Sequence, residues 1–171
     1  MDAMFRTKEF QYMKVETPKG KYLGFVKDIA IDYNNKTVIG FKISTPSIFS
    51  KEMYVLREDI ICINERIIAS RIVNSKYLCF NDIKFLDVIT TRGCILGILE
   101  EVIIDPMDFS IKALVISLGF INKIIKGKEL ILIKDTILGD HNILYNPREN
   151  IKLFSIPHKI IGVKDYEEDC Y

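Results

Sequence analysis

The sequence predicts an all-β protein made of two tandem small β-barrels with a C-terminal extension. Three observations lead there. Runs rich in Ile, Val, Phe and Tyr are broken at regular intervals by turn residues; one such block of thirty residues recurs later in the chain; and no stretch carries the apolar period of an ordinary helix.

The recurrence organises the rest. VETPKGKYLGFVKDIAIDYNNKTVIGFKIS (15–44) lies over VITTRGCILGILEEVIIDPMDFSIKALVIS (88–117) at an offset of 73, without a gap. Val15/Val88, Thr17/Thr90, Gly20/Gly93, Leu23/Leu96, Gly24/Gly97, Ile31/Ile104, Asp32/Asp105, Ile43/Ile116 and Ser44/Ser117 are identical. Other pairs exchange like for like, among them Asp28/Glu101 and Val38/Ile111. Upstream, EFQYMKV (9–15) matches DIKFLDV (82–88) at the same offset; downstream, KEMYVL (51–56) matches KELILI (128–133) at an offset of 77, which gives the second copy a loop four residues longer. Internal duplication is the simplest account. It divides the chain into residues 1–75, residues 76–146 and an extension at 147–171.

Within a copy the elements follow from local chemistry. Pro18-Lys19-Gly20 and Thr91-Arg92-Gly93 are turn signals, and each opens a long β run, KYLGFVKDIAID or GCILGILEEVIID. Gly24 and Gly97 sit early in those runs, where a glycine marks a bulge or tight bend that lets one strand serve two faces of a small barrel. Tyr33-Asn34-Asn35-Lys36 and Asp105-Pro106-Met107-Asp108 form the next turns, and the strand ending at Ser44 or Ser117 follows. Short helical turns are expected at 57–60 and 134–137. Ile151 to Pro157 alternates well enough for an added strand, or for an arm that binds a partner by strand addition.

A turn ending in Gly, a hydrophobe-Gly step and a long strand closing on Ile-Asp resembles the PRC-barrel family. So do the elements that follow it: Ala113-Leu114-Val115-Ile116-Ser117, then Lys128 to Ile133, then Asp135. The second copy matches better than the first, and the two cover roughly 8–70 and 81–146. The resemblance implies compact barrels without enzymatic chemistry of their own. Such domains occur in the H subunit of photosynthetic reaction centres and in a ribosome maturation factor, where they bind proteins or help assemble complexes.

Composition narrows the functional classes. Of the 171 residues 49% are hydrophobic, enough for a core, and the net charge of +1 lacks the basic excess of most nucleic-acid binders. The acidic run Asp165-Tyr166-Glu167-Glu168-Asp169 reads as a solvated end segment. Cys62, Cys79, Cys94 and Cys170 form no CxxC pair, so neither a disulfide framework nor a zinc site is expected. The N-terminal stretch lacks an apolar signal region, and no apolar run approaches the ~18 residues of a membrane span. A cytoplasmic protein is expected, with peripheral membrane contact left open.

No residues suggest catalysis. Asp32 and Asp105 end equivalent strands and read as turn-binding carboxylates. His141 and His158 lack ligand spacing, Glu100-Glu101 reads as exposed surface whose chemistry the first copy does not share, and the glycines precede strands rather than the helix a phosphate loop needs. No cofactor or metal is expected. The candidate partner-binding residues are Phe120, Ile121, Ile124 and Ile125, in an apolar, lysine-spaced loop that is longer in the second copy. The expectation is a non-enzymatic interaction or adaptor module with an unknown protein partner. An RNA- or ribosome-associated factor is one alternative, and a small-molecule binder or enzyme using an inter-barrel cleft is the other.

Overall fold

The computed structural model describes residues 4–45, 52–117 and 128–147, and the backbone of 153–154. The first half comprises β1 (Phe5–Arg6), the one-turn helix α1 (Thr7–Phe10), β2 (Lys14–Glu16), β3 (Tyr22–Asp32), β4 (Thr37–Ser44), β5 (Met53–Leu56), a 3-10 turn (Arg57–Asp59), β6 (Ile60–Ile63), β7 (Arg66–Ala69) and β8 (Val73–Asn74). The second half comprises α2 (Phe80–Ile83), β9 (Asp87–Thr90), β10 (Ile95–Ile104), β11 (Ile111–Ser117), β12 (Glu129–Leu132), a 3-10 turn (Ile133–Asp135), β13 (Thr136–Leu138), β14 (Asn142–Tyr145) and β15 (Leu153–Phe154). The class is all-β, as expected. The 3-10 turns fall within two residues of the predicted helical turns. The one-turn helices were not foreseen, because four residues are too few to show a helical period.

The strands form two sheets of the same order. One runs β6-β7-β2-β3-β4-β5-β8 and the other β13-β14-β9-β10-β11-β12-β15. In each, the strand after the one-turn helix pairs in parallel with a later strand, β2 with β7 and β9 with β14, while its other neighbour is antiparallel. The backbone matches as closely as the order does. Tyr12, Gly20, Gly24 and Lys36 have positive φ, and so do Phe85, Gly93, Gly97 and Phe109, each 73 positions later. The expected bulge is present beside each long-strand glycine, since the β2–β3 and β9–β10 registers both slip at that step. Gly24 is also a close approach: a Cβ there would lie 2.1 Å from the Ser44 carbonyl oxygen.

One part of the sequence alignment is corrected. Phe41 pairs with Val55 and Leu114 with Ile131, so Val55 corresponds to Ile131 at an offset of 131 − 55 = 76. The second half's loop is thus three residues longer than the first half's, not four. The shared Lys-Glu of KEMYVL and KELILI suggested the wrong register. A slip of one position exchanges the two faces of a strand, and the pairing, with Val55 and Ile131 both in the shared apolar cluster and Tyr54 outside it, fixes the correct one.

The halves are interlocked. β1 of the first half pairs with β10 of the second, Phe5 opposite Ile104 and Arg6 opposite Ile103. Reciprocally, Cys79 bridges Ala30 of β3, and the Ile31 amide donates to the Leu78 carbonyl at 2.8 Å. These are the same contacts shifted by 73. Where the halves meet, Thr37 bridges Ser110, the Val38 amide donates to the Phe109 carbonyl at 2.9 Å, and the Ile111 amide donates to the Lys36 carbonyl at 2.7 Å. Each residue there meets the counterpart of its own neighbour, the signature of a two-fold, self-complementary contact. Burial follows: one continuous apolar cluster joins Phe10, Val15, Phe41 and Ile67 to Val88, Leu99, Leu114 and Ile143. Each half alone is small for an independent core, and sharing one removes that limitation.

Candidate functional site

The two-fold relation is broken where a groove lies between the halves. A cavity of about 690 Å³ is lined by Phe5, Phe10, Met13, Ile60, Ile63, Pro106 and Phe109, with Glu9, Arg57 and Asn64 at its polar positions. Both halves contribute. Its aromatic wall is built from the first half's Phe5 and Phe10, whose rings meet edge to face at 5.3 Å, and the second half's Phe109, 6.3 Å from Phe10. Arg57 sits over the Phe109 ring at 5.2 Å and donates from Nη1 to the Asp108 carbonyl at 2.6 Å. The guanidinium therefore ties the β10–β11 turn to the 3-10 turn of the other half.

The counterpart position is filled. Pro106 corresponds to Tyr33, Phe109 to Lys36, and Ile60 to Thr136. Tyr33 is buried, and its hydroxyl lies 2.7 Å from Thr136 Oγ1. Because Thr136 Oγ1 donates to the Ile133 carbonyl at 2.8 Å, the Tyr33 hydroxyl is the donor of the pair. Lys36 Nζ donates to the Thr136 carbonyl at 3.0 Å and lies 4.2 Å from the Tyr33 ring centroid. Burial pushes the Tyr33 phenol up to about 12, and burial lowers the Lys36 ammonium. A phenol ring and a lysine stem thus occupy the space that a proline leaves open on the other side. The sequence aligned Tyr33 with Pro106 without showing which volume either would fill.

The other candidates resolve individually. Asp32 accepts from the Asn35 amide at 3.0 Å and from Asn35 Nδ2 at 2.7 Å, which lowers its carboxyl below the usual range. Asp105 accepts from the Met107 amide at 2.9 Å and pairs with Lys112 at 3.3 Å. Both are turn carboxylates, as expected. His141 is exposed. Cys62 and Cys94 are exposed free thiols, and Cys79 is a buried one that lies 3.5 Å from the Tyr54 hydroxyl. Among the described residues no cluster of His, Cys, Asp or Glu is arranged to hold a metal, and no helix is long and apolar enough to cross a membrane. Phe120, Ile121, Ile124, Ile125, His158 and Cys170 lie outside the described residues.

Glu100-Glu101 requires a correction. Glu100 pairs with Lys128 at 2.6 Å, and Glu101 accepts the Thr7 amide at 3.2 Å as well as the Thr7 hydroxyl, so neither is simply exposed. The first half shares this chemistry through Asp28, whose Oδ2 accepts the Asn81 amide at 3.0 Å. Each carboxylate follows a bulge in its long strand and receives the start of the other half's one-turn helix. Burial raises the Asp28 carboxyl above its ordinary value, with the Asn81 amide opposing. The sequence missed this role because a carboxylate that caps across the seam has no local signature.

Comparison with known families now adds its result. Residues 79–152 match the PRC-barrel domain. No curated protein matches the chain. The matched span runs from the seam residue Cys79 through β14, so the second sheet is the recognised unit. The second half of the chain thus carries a PRC-barrel domain.

Proposed function

We propose that the protein is a non-enzymatic interaction module, and that the groove between its halves receives apolar side chains of a protein partner. The carrying observation is that a fold with two equivalent seams leaves one of them open, with an aromatic wall and a few polar groups. The halves descend from an internal duplication on this reading, and the shared backbone is scaffold. Function then resides where the copies diverged. Arg57, Glu9 and Asn64 supply orientation at the edge, and Phe5, Phe10 and Phe109 supply buried contact area, the usual division between a hydrophobic centre and a polar rim.

The test places a photo-crosslinking residue at Asn64 in the full chain within its native cell. One defined protein should be captured. Ile60→Asp should abolish that capture, while Ile137→Asp, at an exposed site outside the groove lining, should leave it intact. Equal capture by both variants would reject the groove as the contact.

A second reading has its own support. The groove's volume falls within the roughly 300–1,000 Å³ typical of small-molecule sites. Under that reading Ile60→Asp would remove a bound metabolite detectable by native mass spectrometry, and no protein would crosslink at Asn64.

A further inference from the structure

The second departure from the two-fold relation is electrostatic. On the outer face of β10 a depression of about 260 Å³ is lined by Arg6, Lys8, Lys84, Lys128, Phe85, Val115, Glu100 and Glu101. Four of these residues are basic and two acidic. Glu100 is held by Lys128, and Glu101 is turned to the start of α1. Arg6 and Lys8 flank α1, while Lys84 lies 5.0 Å from the centroid of the exposed Phe85 ring. The corresponding first-half positions are Cys79, Asn81, Gln11 and Glu52 in place of the four basic residues, with Tyr12 in place of Phe85. Lys27 and Lys42 stand in place of Glu100 and Val115, so the first-half lining balances two basic residues against Asp28 and Glu52. A net excess of two basic residues beside an aromatic wall is thus specific to the second half.

The chain itself holds a segment of matching chemistry. β15 pairs with β12 so that Phe154 is opposite Glu129, the residue next to Lys128. The described backbone therefore reaches the edge of this depression. After ten intervening residues comes Asp165-Tyr166-Glu167-Glu168-Asp169, with four carboxylates around one aromatic ring. Ten residues span up to ~35 Å, so the connection readily covers the distance. A tethered segment also acts at an effective concentration on the order of millimolar, enough for a modest ionic contact to be populated.

We propose that Arg6, Lys8 and Lys84 make this depression a carboxylate-recognition site, and that the chain's own 165–169 segment occupies it. Carboxylates meet the ammonium and guanidinium groups, and the Tyr166 ring meets Phe85. A partner presenting an acidic peptide must then displace the segment.

The test compares amide spectra of the full chain with a full-chain variant neutralised in the segment (Asp165→Asn, Glu167→Gln, Glu168→Gln, Asp169→Asn). Shifts should change at residues 6–8, 84–86 and 128, and that difference should vanish at roughly 0.5 M salt, where exposed charges are screened. A glutamate oligopeptide should bind the neutralised variant several-fold more tightly than the native chain, and Lys8→Glu with Lys84→Glu should remove that binding. Unchanged shifts at these residues, or equal oligopeptide affinity for both proteins, would overturn the assignment.

Discussion

The Tyr33 side of the seam and the Pro106 side share a backbone and differ in filling. On the first, a buried tyrosine donates to Thr136 and carries a lysine over its ring. On the second, proline leaves a groove walled by Phe5, Phe10 and Phe109. The lesson is that a two-fold scaffold can leave one groove open by exchanging the side chains that fill it on the other side. On the proposed function, stability and binding are then separable, because the closed side supports the shared core while the open side receives the partner.

That separation can be probed by substitutions of decreasing expected effect. Gly24→Ala places a Cβ 2.1 Å from the Ser44 carbonyl at a φ of +151°, and should cost about 4 kcal/mol in denaturant unfolding. Gly97→Ala, at the corresponding φ of +157°, should cost a similar amount. If only one of the two were sensitive, the halves would not be equivalent as scaffold.

Tyr33→Pro transplants the open side's residue onto the closed side, where the matching backbone already accepts proline. It should cost about 3 kcal/mol through the lost ring and the cavity left behind. The reverse change, Pro106→Tyr, should cost much less and should abolish partner capture. If Tyr33→Pro were neutral, the tyrosine would not be a plug.

The buried aspartates of the two 3-10 turns differ less. Asp59 is held by Arg71, whose Nε lies 3.1 Å from Oδ1, whereas Asp135 Oδ1 has no hydrogen-bond partner among the described residues. Asp59→Asn should therefore cost about 1–2 kcal/mol, and Asp135→Asn should be neutral or slightly stabilising. Equal losses would mean the two turns are held alike.

The smallest contrast is in pH dependence. Burial raises the Asp28 carboxyl above 3.8, so folding favours its protonated form. Its contribution is full below the unfolded value and falls as pH rises through the raised one. Asp28→Asn should thus gain on the native protein between strongly acidic and neutral pH. The bonds from Asn35 lower Asp32, so its contribution is present above 3.8 and lost as pH falls through the lowered value. Asp32→Asn should lose on the native protein over the same interval. Thermal unfolding across that range reads both slopes.

Much of the scaffold was legible in the sequence. Glycines 73 apart, turn residues in step and alternating apolar runs reported the shared backbone, because positive φ and buried faces leave few residue choices. What joins the halves was not. β1 crosses to β10, Asp28 and Glu101 cap across the seam, and Tyr33 fills a volume bounded by Thr136; each depends on contacts about 50 to 100 positions apart. The Lys-Glu identity that misplaced β12 shows the converse. A local match of surface residues carries less information than which side of a strand is buried.

Pro106, standing where its counterpart is Tyr33, leaves the groove open. Titration of the full chain with an aromatic probe such as anilinonaphthalene sulfonate, followed by amide shifts, counts the open seams directly. A single site bounded by Phe5, Ile60 and Phe109 is expected in the native protein, with loss of that site in Pro106→Tyr and a second site near Thr136 in Tyr33→Pro. Retention of the Phe5–Phe109 site in Pro106→Tyr, or absence of the Thr136 site in a folded Tyr33→Pro variant, would contradict it.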